Sequence, residues 1–148
     1  MKRTLLFLGC ILLWLSAAVA GHPVKILAIG NSFSEDAIEH NLHELAADAG
    51  ITTVIGNMYI PGCPLELHAK NAAADARAYR YRKIGTDGRM SQADSMQLSR
   101  ALADEDWDYV SLQQASHFSG CYDTYQPYLH SLVEYIRARV PAKTKIIF

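Results

Sequence analysis

The fold class is decided by the stretch KILAIGNSFSEDAIEH, which spans residues 25–40. The apolar, β-branched run at 24–29 is bounded by a proline and a glycine, a pattern typical of a short buried parallel strand. Two carboxylates and then apolar residues at helical spacing follow. We therefore expect an amphipathic helix with Ser34 as its N-cap and Gly50 just past its end. A strand that leads into a helix through a small polar turn is the opening unit of an α/β domain.

Strand-like and helix-like segments keep alternating along the chain. The predicted strands are 52–60, a hairpin of 79–84 with 89–91, 109–112 and 143–148, and the predicted helices are 65–78, 96–103 and 125–140. This alternation predicts a three-layer α/β/α domain with a mostly parallel sheet, formed by residues 21–148. Because a returning helix normally covers each strand of such a sheet, we expect an N-terminal part of a domain, truncated after the fourth strand. A small four-stranded domain that ends on an exposed strand is the alternative.

Residues 1–20 have the pattern of a secretory signal peptide. A basic start precedes an apolar run at 5–15, and Ala18-Val19-Ala20 is a small-x-small cleavage site. The run is too short for a membrane anchor, and a lipoprotein interpretation through Cys10 leaves too short an apolar region before the cysteine. We therefore predict export to the periplasm or the extracellular space, with a mature chain that starts near Gly21 and is not held in a membrane.

Charge and composition exclude several classes of partner. A formal net charge of −1 gives no basic surface for nucleic acid or for an anionic membrane. The acidic residues at 104–108 precede a strand, so we place them at the edge away from a site, where a solvated loop is favoured over a cation site. We expect no metal and no cofactor, and the sequence leaves the oligomeric state open.

Three polar loops follow predicted strands, at 30–34, 61–64 and 113–117. In open α/β sheets, sites form at the carboxyl ends of the strands, so we expect these loops to meet at one edge. Cys63 and Cys121 belong to loops at the same edge, in a compartment where a disulfide persists. We predict a Cys63–Cys121 disulfide that joins the loops, with two free thiols as the alternative.

Ser32 lies in the turn between the first strand and the helix. Backbone N–H groups near a helix N-terminus stabilise an oxyanion, so this is a favourable place for a nucleophile. On its own, however, the pattern favours a simpler interpretation in which Asn31, Ser32 and Ser34 cap the helix. A phosphate loop is disfavoured because neither G-x-x-x-x-G-K-[ST] nor G-x-G-x-x-G occurs.

Three blocks together resemble an SGNH/GDSL-type hydrolase. They are ILAIGNSFSEDAIEHNLHELA, GNMYIPGCPLELH and LADEDWDYVSLQQASHFSG, and they are most similar to an uncharacterised bacterial branch described only as a domain of unknown function. That branch is common in secreted proteins of gut bacteria. The resemblance covers nearly all of the mature chain, and it implies a flavodoxin-like α/β/α fold and a serine nucleophile.

The resemblance also implies roles for single residues. Ser32 takes the place of the nucleophile, and Asn31 stands where the superfamily has an aspartate. Gly62 takes the place of the glycine whose N–H lines the oxyanion hole. Gln114 takes the place of a side-chain amide donor, usually an asparagine, with Gln113 as the alternative in register.

The fourth block of the resemblance, a late Asp-x-x-His that supplies the general base, is absent from this sequence. His117 is an additional candidate because it follows the third strand, although its position favours a place outside the site. We expect His40, His43, His68 and His130 on helix surfaces. Truncation explains the missing base better than any of these residues does.

We therefore predict an exported SGNH-like serine esterase that is catalytically incomplete as given, with a small-molecule or carbohydrate acyl ester as substrate. The alternative is a non-catalytic secreted sugar-binding module on the same fold, and a flavodoxin-like cofactor binder is a weaker option. Tyr79, Arg80, Tyr81 and Arg82 are candidates for a sugar-binding cleft, but an amphipathic hairpin face is the favoured interpretation.

Overall fold

A computed structural model of the protein describes residues 21–148, so the predicted signal peptide lies outside the described residues. These residues contain a six-stranded mixed sheet in the order β4-β3-β2-β1-β5-β6. The strands are β1 (Val24–Gly30), β2 (Thr53–Tyr59), β3 (Tyr79–Ile84), β4 (Met90–Met96), β5 (Tyr109–Leu112) and β6 (Lys145–Ile147). Strands β2, β1, β5 and β6 run parallel, and the β3–β4 hairpin adds two antiparallel strands at one edge. The prediction of an α/β fold with a mostly parallel sheet is confirmed.

The helices lie between the strands as the alternation predicts. They are α1 (Ser32–Ser34), α2 (Leu42–Asp48), α3 (Leu65–Ala73), α4 (Leu98–Leu102) and α5 (Tyr128–Arg137), with one π-helical turn at Glu35–Glu39 between α1 and α2. None of the helices described within residues 21–148 is long and apolar enough to cross a membrane.

The prediction of one continuous helix capped by Ser34 is wrong. The N-cap is Asn31, whose side-chain oxygen accepts the Phe33 N–H, and the segment is interrupted by the π-helical turn. Ser34 is buried because its hydroxyl turns inward, toward the backbone oxygen of Asn31 and the side chain of Asn57. Leu45, which regular helical spacing would bury, is exposed.

The main core lies on one face of the sheet. Leu27 and Ile29 of β1 share this face with Val110 and Leu112 of β5, as the strand register requires. Helices α3, α4 and α5 cover the face, and Trp107 is fully buried among them with its indole N–H donated to the Ala101 backbone oxygen. The opposite face carries α1, the π-helical turn and α2, which pack mainly over β1 and β2. The core therefore fixes the carboxyl ends of β1, β2 and β5, where the predicted loops begin.

Candidate active site

The three predicted loops meet at the carboxyl edge of the sheet, and one buried side chain joins them. The Asn31 amide nitrogen donates to the backbone oxygens of Cys63, at 3.2 Å, and Gln114, at 3.3 Å. Its side-chain oxygen accepts the Phe33 N–H at 3.2 Å. A carboxylate has no N–H to donate, so an aspartate here would face two carbonyl oxygens. The amide at position 31 is therefore the side chain that this loop arrangement requires.

Ser32 and Gly62 are the exposed members of the edge. Ser32 begins α1, and within residues 21–148 neither its hydroxyl nor its N–H makes a hydrogen bond. Gly62 has a φ of +60°, in the left-handed region that favours glycine, and its N–H is also unbonded in the described part of the chain. Two free backbone donors and a free hydroxyl are therefore available at this edge.

The Gln114 amide, which the resemblance makes a donor to the substrate, is engaged within the protein. Its amide nitrogen donates to the backbone oxygen and the hydroxyl of Thr124, at 3.2 and 3.1 Å. Its side-chain oxygen accepts the N–H groups of Leu65 and Ala115, at 3.0 and 2.9 Å. Both ends of this buried amide are thus engaged in holding loops, so no donor is left for a ligand. Gln113 is different, because its side-chain oxygen, an acceptor, is buried and has no partner within residues 21–148.

A buried polar cluster lies beneath the turn that carries Ser32. Ser34 Oγ is 2.9 Å from Asn57 Oδ1, and the Asn57 amide nitrogen donates to Glu39 Oε1. Arg82 of β3 pairs with Glu39 through Nε at 3.0 Å and with Glu35 through Nη1 at 2.7 Å. The Arg82 hydrogen bond lowers the pKa of Glu35, whereas burial raises the pKa of Glu39 above its usual range. The sequence pattern missed this cluster, and its one visible signal was the amide of Asn57 within an otherwise apolar strand.

The described histidines do not supply a base for Ser32. His117 is exposed, with its ring 4.1 Å from that of Phe118, and no hydrogen bond joins it to Ser32. The prediction that His68 lies on a helix surface is wrong, because this residue is completely buried and its Nδ1 is 3.0 Å from the Tyr79 hydroxyl. Burial lowers the pKa of His68 to about 4. His68 is therefore a neutral core residue.

The disulfide predicted between Cys63 and Cys121 is absent from the structure. Both thiols are free: Cys63 is buried beside the carbonyl of Pro64, and Cys121 is exposed. Burial raises the pKa of Cys63 to about 12. The loops are held instead by the amides of Asn31 and Gln114.

The predicted sugar-binding cleft is not formed by the four residues proposed for it. Tyr79 and Tyr81 are buried in the core, and Arg82 is paired in the buried polar cluster. The amphipathic face was therefore the better interpretation of this hairpin. Two of the four, Tyr79 and Arg80, line a small, mostly polar pocket of about 210 Å³ beside the Gly62 loop, together with Tyr59, Arg77 and Asp94.

The acidic segment at 104–108 is paired with lysine side chains. Lys83 pairs with Asp104 at 2.7 Å and also with Glu105, and Lys25 pairs with Glu105 at 2.7 Å. Across residues 21–148, no group of three or more His, Cys, Asp or Glu side chains is arranged to hold a metal ion.

A largely apolar groove of about 420 Å³ lies next to the edge, over β1, β5 and β6. Ala28, Ser111 and Ile147 stand in register on its floor, and Phe33 and Ile38 form one wall. Ser34 and the two glutamines contact it, whereas Ser32 and Gly62 do not line it.

The described residues form an α/β/α domain in which three loops meet at one edge of the sheet, beside an exposed serine. The chain belongs to the DUF4886 family, a domain of unknown function that matches residues 25–148. It is similar to a DUF4886 family protein from Bacteroides uniformis ATCC 8492, whose crystal structure has 52% sequence identity and a TM-score of 0.82. The match covers 84% of this chain and 49% of that one, so the chain spans about half the length of its solved relative. The comparison with curated proteins finds no match.

Proposed function

We propose that this chain carries the nucleophile and part of the oxyanion hole of an exported serine esterase similar to SGNH/GDSL-type hydrolases. The observation that carries the proposal is the exposed Ser32 at a helix start, with a free hydroxyl and a free N–H, where three loops converge. An acyl ester on a carbohydrate is the substrate class that we favour.

The reaction would begin when Ser32 Oγ attacks the acyl carbonyl carbon and gives up its proton to a base. The negative charge that develops on the carbonyl oxygen would be stabilised by the N–H groups of Ser32 and Gly62, which have no other partner in the described chain. Collapse of this intermediate releases the alcohol, and water then hydrolyses the acyl-enzyme. Because both amide hydrogens of Gln114 are engaged with Thr124, Gln113 is the remaining candidate for a side-chain donor.

Within residues 21–148, no side chain that could act as the base makes a hydrogen bond to the Ser32 hydroxyl. Without a base, serine hydrolases lose several orders of magnitude in rate. We therefore expect turnover by residues 21–148 alone to be low.

A fluorophosphonate probe on the full-length protein tests the proposal. Labelling should be lost in Ser32→Ala and retained in Ser91→Ala, a matched control at an exposed serine of β4 on the far edge of the sheet. Equal labelling of wild type and Ser32→Ala would reject Ser32 as the nucleophile.

A non-catalytic sugar-binding module is the second candidate. The engaged Gln114 amide favours it, as does the polar pocket beside Gly62, where an aromatic ring and two arginines are available to sugar hydroxyls or carboxylates. Glycan binding that Arg80→Ala weakens and Ser32→Ala leaves unchanged, with no labelling of wild type, would favour the module over the esterase.

A further inference from the structure

The peptide group between Asn31 and Ser32 is held from one side by two backbone N–H donors, with the Ser34 hydroxyl also within reach. The Asn31 carbonyl oxygen lies 3.0 Å from the Ser34 N–H nitrogen, 3.2 Å from the Glu35 N–H nitrogen and 2.7 Å from Ser34 Oγ. In a trans peptide the C=O and the following N–H point in opposite directions. Whatever fixes the Asn31 carbonyl therefore also fixes the direction of the Ser32 N–H, the donor that the proposed esterase needs.

The hydroxyl of Ser34 has one hydrogen and two acceptors within reach. It lies 2.7 Å from the Asn31 oxygen and 2.9 Å from Asn57 Oδ1, and it donates to only one of them at a time. Which acceptor it uses depends on the orientation of the Asn57 amide. Because the Asn57 amide nitrogen donates to Glu39, the amide oxygen is turned toward Ser34 and can accept its hydroxyl hydrogen. This contact anchors Ser34, the residue whose N–H holds the Asn31 carbonyl.

Glu39 is a buried carboxylate that depends on a small set of partners. Its side chain is 3% exposed, and a carboxylate removed from water in this way needs a paired cation and hydrogen bonds. Arg82 supplies the cation, lies 4.3 Å from the Tyr59 ring centroid and also pairs with Glu35 at 2.7 Å. The π-helical turn directs both carboxylates toward this one arginine, and such turns are frequent at functional sites.

We propose that Glu39 is a positioning residue for Ser32, acting through Asn57 and Ser34 on the peptide group that carries the Ser32 N–H. This inference rests on the proposed esterase function. In this arrangement the buried Glu39–Arg82 ion pair keeps the Ser32 N–H directed at the substrate.

A pH dependence follows from the groups that face Glu39. Arg82 approaches it from β3 and Asn57 from β2, while Glu35 and His40 lie on its own segment. Burial raises the pKa of Glu39 in spite of Arg82 and Asn57. Above that pKa the ionised carboxylate pairs with Arg82 and accepts firmly from Asn57, and below it the neutral carboxyl loses the ion pair and holds the Asn57 amide more weakly. Reactivity of Ser32 should therefore fall as the pH drops through the raised pKa.

The test is the rate of Ser32 phosphonylation by a fluorophosphonate as a function of pH in the full-length protein. Glu39→Gln should lower the plateau rate about ten- to hundredfold, as expected for a misplaced catalytic group, and should remove the acid limb of the profile. Glu66→Gln is the matched control, since Glu66 pairs with Lys70 on the exposed face of α3, and it should keep the wild-type profile. A Glu39→Gln variant with the wild-type rate and profile would overturn the inference.

Two further measurements cover the other outcomes. If Glu39→Gln does not fold, Ser34→Ala removes the link at the other end while leaving the ion pair intact, and it should show the same loss of plateau rate. If wild type is not labelled at all, the esterase proposal fails, and amide hydrogen exchange then tests the positioning separately. Faster exchange at Ser34 and Glu35 in Glu39→Gln, but not in Glu66→Gln, supports the positioning, and equal exchange in all three proteins rejects it.

Discussion

The buried histidine makes a quantitative prediction about stability. In the folded protein the pKa of His68 is lowered to about 4 by burial, whereas an unfolded histidine titrates near 6.5. The unfolded state therefore binds a proton at a pH where the folded state does not, and stability falls as the pH drops below about 6.5. The loss continues to about pH 4 and amounts to roughly 3 kcal/mol, since each pKa unit corresponds to about 1.4 kcal/mol.

Urea unfolding at a series of pH values between 4 and 7.5 measures this contribution. His68→Phe cannot titrate and loses the contact with the Tyr79 hydroxyl, so it should be less stable than wild type at pH 7. The gap should close by about 3 kcal/mol as the pH falls to 4, because only wild type carries the penalty of protonation. His130→Phe is the control: His130 is exposed on α5, and its curve should run parallel to that of wild type. A constant gap between wild type and His68→Phe would refute the reasoning.

Two further predictions concern the loops. Asn31→Asp should destabilise the protein by about 2 kcal/mol or more at pH 7, because a buried carboxylate would face two carbonyl oxygens, and part of this loss should be recovered at acidic pH. Thermal unfolding at two pH values checks it, and an unchanged melting temperature would contradict it. For the thiols of residues 21–148, one fast-reacting group, Cys121, should be titrated in the native protein and two in the denatured, unreduced protein. If no thiol reacts after denaturation, the prediction of a Cys63–Cys121 disulfide is correct and the assignment of free thiols is wrong.

The parallel strands were predictable because each is a short apolar run with turn residues at its ends. Each of the runs at 24–29 and 109–112 contains a single polar residue, Lys25 and Ser111, so neither shows the polar alternation of a half-exposed strand. The convergence of the three loops followed from the sheet topology, and the amide of Asn31 confirms it.

The helix after β1 was not predictable in the same way. Its apolar residues have helical spacing throughout, so nothing in the local pattern marks the π-helical turn. The turn forms because Ser34 and Glu39 face inward to Asn57, a partner on another strand. His68 was misplaced, and the side-chain partners of Gln114 were missed, for the same reason: Tyr79 and Thr124 are brought to them by tertiary structure.

The central claim is that Ser32 is a reactive nucleophile at this edge. Peptide mapping by mass spectrometry, after treatment of the full-length protein with a fluorophosphonate, tests it most directly. The account predicts one phosphonyl adduct, on Ser32, with the buried Ser34 two residues away unmodified. An adduct on another serine, or no adduct on the folded protein, would contradict the account.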